Sequence, residues 1–136
     1  MPAKLTIPSV ILPNTNTTTL PFTSTSNGYL SGPMHLSGNS LVIDAANLYF
    51  LAVSVEIEQN GTGVVNTANI QVFRNGTRIL EVIKSYNEND ANTMFGSAYF
   101  NFNAGDVITS TISFGTLSPN KIIIAPNTSS TFLNVV

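Results

Sequence analysis

Few residues in this 136-residue chain could do chemistry, and their types and spacing argue against catalysis. His35 is the only histidine, and there is no cysteine. A transition-metal site would have to combine one imidazole with carboxylates, and no cluster is spaced for that. Ser-His-Asp catalysis would need His35 as its base. Serines are plentiful, but none lies in a nucleophile-elbow sequence. Glu56 and Glu58 stand two apart, which on a strand puts both carboxylates on one face about 7 Å apart. A general acid–base pair uses such a separation, but a solvated polar face explains these two better. Asp44, Asp90 and Asp106 lie in turn sequences, where Asp is favoured for turn chemistry alone. The oxygen-rich run Asn87-Glu88-Asn89-Asp90 is the best candidate for calcium, which takes loop carboxylates and carbonyls. No other cofactor is expected.

Recognition chemistry has more to work with. Tyr86 and Tyr99, together with the Asn-rich loops, suit a carbohydrate-binding face, where rings stack and amides hydrogen-bond. Arg74 and Arg78 flank Asn75-Gly76 and could reach an acidic partner, with a solvated hairpin tip as the plainer reading. Four glycosylation patterns begin at Asn16, Asn60, Asn75 and Asn127. In a chain this rich in Asn and Thr they are incidental.

These side chains must be positioned by strands. Gly, Asn or Pro interrupts the chain every eight to twelve residues, β-branched residues abound, and no stretch has helical apolar spacing. That rhythm predicts a β-sandwich. Leu48–Glu58 alternates most clearly, with Tyr49, Leu51, Val53, Val55 and Ile57 on one face. Asn75-Gly76 between residues 69–74 and 78–85 is the strongest hairpin signal. Further strands are expected over 5–12, 29–36, 41–43, 93–103, 107–114, 121–125 and 131–136, with 14–26 as a polar loop. The expectation is a single all-β domain over residues 1–136: a two-sheet antiparallel jelly roll of about eight to ten strands. Its first forty residues supply N-terminal strands and the polar loop.

Composition narrows the partners. Charged residues make up 9% of the chain, against roughly 25% in ordinary soluble proteins, so Asn, Thr and Ser must keep it in solution. Five basic residues scattered through a chain of net charge -2 form no stripe that could displace counterions from nucleic acid. No apolar run is long enough to span a membrane, and no signal-peptide core is visible near the N-terminus. The surface type suggests an extracellular place or the surface of a virion, phage or spore. Apolar residues also fall where a two-layer sandwich leaves a face uncovered. Phe50 and Ala52 oppose the core face of the best strand, and Ile122, Ile124, Phe132 and Val135 belong to segments apolar on both faces. A neighbouring copy of the chain is the simplest cover, which makes these six residues the candidate subunit interface.

The order of pieces resembles the C1q/TNF-like jelly-roll superfamily, in particular its bacterial and viral members. The run from Leu41 to Val55, with Asn47-Leu48-Tyr49 at its middle, resembles that family's I-x-x-x-G-x-Y-x-V-x-x-x-V stretch. Ile70-Gln71-Val72-Phe73-Arg74-Asn75-Gly76-Thr77 is similar to its hairpin, Phe102-Asn103-Ala104-Gly105-Asp106-Val107-Ile108 to its turn, and residues 130–136 to its closing strand. The resemblance spans residues 41–136. It departs at Asn47, where the family usually has Gly; Asn tolerates positive φ, so a turn there can survive. The resemblance implies a homotrimer that recognises partners or decorates surfaces, without enzymatic activity, and in some C1q-like members calcium near the axis. The expected function is a non-enzymatic trimeric attachment module, a fibre head or decoration protein. It would bind a cell-surface carbohydrate or protein receptor, or serve particle assembly. The alternatives are a small single-jelly-roll capsid or coat protein and a monomeric carbohydrate-binding module.

Overall fold

The computed structural model describes residues 3–7, 17–24, 29–59, 67–85, 91–115, 122–124 and 132–135. Twelve strands run through them: β1 (Ala3–Leu5), β2 (Thr17–Thr19), β3 (Tyr29–Leu30), β4 (Met34–Ser37), β5 (Ser40–Ile43), β6 (Asn47–Gln59), β7 (Thr67–Arg74), β8 (Thr77–Ser85), β9 (Ala91–Phe102), β10 (Val107–Phe114), β11 (Ile122–Ile124) and β12 (Phe132–Val135). All pairings are antiparallel, in two six-stranded sheets. The all-β, two-sheet jelly-roll architecture predicted from the alternating pattern is present.

Each sheet is organised around one long strand. In the first, β6 is flanked along one side by β9, from Asn47↔Phe102 to Glu58↔Ala91, while β12 and β11 share its other side. β12 continues through β1 to β3. In the second, β10 lies between β7 on one side and β5 with β2 on the other; β8 and β4 extend the two ends.

The period-two reading of β6 holds. Tyr49, Leu51, Val53, Val55 and Ile57 point inward and are almost wholly buried. Facing them across the sandwich are Ala68, Ile70 and Val72 of β7, with Ile108, Ile112 and Phe114 of β10. Each Val, Leu, Ile or Phe among them removed from water stabilises the fold by about 1.5–3 kcal/mol. Ser110 points into the same interior, and its hydroxyl donates to the Gln71 carbonyl at 3.1 Å, as a buried polar group requires.

Several expectations are corrected. Thr17–Thr19, read as loop, forms a strand on β10, because its extended Thr run finds a free edge beside Thr111–Ser113. The stretch 29–36 is broken in two around Gly32, whose φ is 75°. Asn47 does not adopt positive φ. It begins β6, and its Oδ1 accepts the Leu48 N–H at 2.8 Å, so the departure from Gly costs the backbone nothing.

The two sheets pinch together where β8 passes β9. A Cβ built on Gly96 would overlap the Val82 Cγ2 methyl. Glycine is the only residue that lets these strands approach so closely.

Candidate functional site

The outer face of the first sheet is the feature that asks for a partner. Alternation along β6 and its register with β9 place Leu48 with Asn101, Phe50 with Tyr99, Ala52 with Ser97 and Ser54 with Phe95 on that face. None of these eight residues is charged. From Leu48 to Ser54 the strip runs about 20 Å, six strand rises. Leu48 is 55% exposed, Phe95 56% and Tyr99 69%. Only one other large hydrophobic side chain among the described residues, Ile83 on β8, is comparably exposed. Tyr99 leans on Phe50 with ring centroids 5.0 Å apart, a geometry that aromatic pairs favour. Between the bulky ends, Ala52 and Ser54 sit sunken and nearly buried.

Of the six interface candidates, Phe50 is half-buried on this strip and Ala52 lies at its floor. Val135 is corrected: it is fully buried in the core of its own chain, because its register with Leu51 turns it inward. For Ile122, Ile124 and Phe132 the backbone partners are Gln59, Ile57 and Ser54; their side chains lie outside the described residues. Sequence reasoning missed Leu48, Phe95 and Tyr99 as members of the strip. The signal was available, since the parity of β6 and β9 puts all three opposite core positions.

The second sheet turns a different outer face to solvent. Asn69 and Gln71 of β7 and Thr109, Thr111 and Ser113 of β10 alternate with core positions. At its edge, Glu81 Oε2 accepts from Asn69 Nδ2 and Gln71 Nε2, both at 3.0 Å, and from Arg78 Nη1 at 2.7 Å. The Gln71 and Asn69 amides first, and then the Arg78 charge, hold the Glu81 carboxyl below its usual range although desolvation opposes them.

The arginines proposed for an acidic partner are engaged within the chain. Arg78 makes the ion pair with Glu81 just described. Arg74 Nη1 donates to the Asn101 carbonyl at 3.0 Å, its Nε lies 3.5 Å from Asp106 Oδ2, and its guanidinium sits 5.9 Å over the Phe102 ring. Asp106 is buried within a clamp. It accepts from the Asn103 N–H at 2.8 Å and from Asn75 Nδ2 at 2.9 Å. The Asn103 bond, then Asn75 and Arg74, lower its carboxyl below the ordinary value although desolvation opposes them.

His35 also has a partner unforeseen from sequence: its Nδ1 lies 2.8 and 2.9 Å from the two carboxylate oxygens of Asp44, both side chains being well exposed. Among the described residues no three His, Asp or Glu side chains gather as metal ligands. The calcium candidates Asn87, Glu88, Asn89 and Asp90, and the ligand candidate Tyr86, lie outside the described residues. Glu56 points outward beyond the strip, opposite Thr93. Glu58 is paired with Ala91 through its backbone, and its side chain also lies outside the described residues.

An uncharged aromatic strip on one sheet of a two-sheet jelly roll can be set beside known structures. Three crystal structures of murine APRIL superpose over 98% of this chain at 18% sequence identity. The form at pH 5.0 gives a TM-score of 0.75 over 95% of that chain, the form at pH 8.0 gives 0.71 over 95%, and the form at pH 8.5 gives 0.70 over 94%. The fold is the TNF-like jelly roll. No protein-family model and no curated protein matches the sequence.

These likenesses correct one expectation. The bacterial or viral type, with its fibre-head, spore-surface and phage structural readings, is overturned by matches to a mouse protein. The capsid and carbohydrate-module alternatives gain nothing from them.

Proposed function

We propose that this chain is an extracellular, non-enzymatic recognition module that self-associates as a trimer and binds a protein receptor. The observation that carries this reading is the uncharged strip of Leu48, Phe50, Phe95 and Tyr99 on the outer face of the first sheet. Near a symmetry axis every residue meets its own copies, so a charge there repels itself, whereas apolar and aromatic groups pack. The second sheet's outer face is more polar, with Asn69, Gln71, Thr109, Thr111 and Ser113, and carries a single strongly exposed apolar side chain among the described residues, Ile83 beside Asn69. A trimer rather than another oligomer, and a protein receptor, are supported by the way TNF-like folds act. The extracellular placement rests on composition alone, with few charges and much Asn and Thr. In this reading a neighbouring copy, not a sugar, covers the exposed Tyr99.

Sedimentation equilibrium tests the assembly: a mass of three chains is expected, and a single chain at micromolar concentration overturns it. Binding to intact cells tests the recognition. Protease treatment of the cells should abolish binding and glycosidase treatment should leave it; the reverse result overturns the protein-receptor reading.

A further inference from the structure

The tip of the β7–β8 hairpin carries a reactive dipeptide held in an unusual way. Asn75 and Gly76 have φ of 51° and 81°, both positive, as a type I′ turn requires. Asn75 is the only non-glycine residue with positive φ among the described residues. An Asn-Gly pair is chemically labile because glycine offers its backbone nitrogen without steric hindrance. That nitrogen attacks the Asn side-chain carbonyl carbon, the bond to Nδ2 breaks, and ammonia leaves carrying the displaced backbone proton. Water then opens the resulting cyclic imide to aspartate or isoaspartate.

In the folded chain the Asn75 side chain is anchored at both ends, 31 and 32 residues away. Its Nδ2 donates to Asp106 Oδ1, and its Oδ1 accepts the Val107 N–H, each at 2.9 Å. The Asn75 N–H in turn donates to the Val107 carbonyl at 2.9 Å. The side-chain carbon cannot swing onto the Gly76 nitrogen without breaking both side-chain bonds. Nor can Nδ2 leave while Asp106 holds it. The same engagement keeps the Asn75-Gly76-Thr77 pattern from accepting a glycan once folded.

We propose that Asn75-Gly76 is a deamidation site kept closed by the clamp to the β9–β10 turn, and that its reaction makes opening of the clamp irreversible. Deamidation replaces the Nδ2 donor with a carboxylate oxygen facing Asp106, so a hydrogen bond becomes a repulsion between like charges. Isoaspartate also lengthens the turn backbone by one atom, which the tight I′ geometry does not accommodate.

The test incubates the native and the urea-unfolded protein at mildly alkaline pH and follows the Asn75 peptide by mass spectrometry. Asn27-Gly28 and Asn60-Gly61 in the same digest calibrate the unfolded rate. Native Asn75 should react about tenfold or more slowly than in urea, since two hydrogen bonds must open first. Asp106→Ala, shown folded by circular dichroism, should lose most of that protection. Should Asp106→Ala not fold, graded urea on the natural chain replaces it: the Asn75 rate should rise with opening of the tip. Equal rates in native and unfolded protein overturn the proposal, as does full protection in folded Asp106→Ala.

Discussion

Asn75 Nδ2 donates to Asp106 Oδ1 at 2.9 Å, joining residues 31 positions apart in the chain. The bond ties the β7–β8 tip to the β9–β10 turn. Other bonds complete the knot: Ile43 N–H donates to the Asp106 carbonyl at 2.9 Å, and Gly105 N–H donates to the Ile43 carbonyl at 2.7 Å. Three separate pieces of chain therefore meet around one buried carboxylate at one end of the sandwich.

Replacing that carboxylate should cost stability in a pH-dependent way. Asp106→Ala leaves the Asn103 N–H and Asn75 Nδ2 without their acceptor, at a cost of about 1–3 kcal/mol near neutral pH, read from urea midpoints. The folded carboxyl titrates below its ordinary value of 3.8. Its contribution is therefore fully present above that value and is lost as pH falls through the folded pKa. The gap between natural and Asp106→Ala midpoints should shrink below pH 3.8; a gap independent of pH would refute the assignment.

Gly96→Ala should destabilise by about 1–3 kcal/mol, the usual cost of overpacking, because the new methyl meets the stiff β-branched Val82. Adding Val82→Ala should recover part of that loss. Chemical denaturation of the two single variants and the double variant gives the coupling directly.

A charge placed on the outer strip should separate assembly from folding. Phe95 and Tyr99 are exposed in the single chain, so Phe95→Asp or Tyr99→Asp should leave its β-sheet circular dichroism intact. Either variant should sediment as a smaller species than the natural protein. Unchanged sedimentation of both would show that this face is not the one covered.

Glu81 offers a local check on the second sheet. Its carboxyl should titrate below 4.5 by NMR, with the Gln71 and Asn69 amides as the main cause. Gln71→Ala should move that titration upward, whereas neutralising Arg78 should move it less. The order of the two effects distinguishes amide donation from simple charge attraction.

Much of the fold was legible without coordinates. Alternation fixed which residues of β6 point inward, because successive side chains on a strand must face opposite ways. Asn75-Gly76 announced its hairpin because few other residues accept two successive positive φ angles. The same logic failed where local pattern carries no information about depth. Val135 belongs to a short segment apolar on both faces, and its register with Leu51 turns it into the core. Thr17–Thr19 looked like loop because its partner strand lies more than ninety residues away.

The sequence by itself determined the class of fold, the inward faces of the long strands, the turn at Asn75-Gly76 and the absence of a basic stripe. These follow from side-chain period and from local backbone preference, both of which are written in neighbouring residues. Only the tertiary structure decided that Tyr99 packs tilted against Phe50, that Arg74 and Asn75 converge on Asp106, and that Gly96 must yield to Val82. Each of those contacts depends on the register and separation of strands far apart in the chain. Register is set collectively by packing the whole core, so no single stretch of residues encodes it.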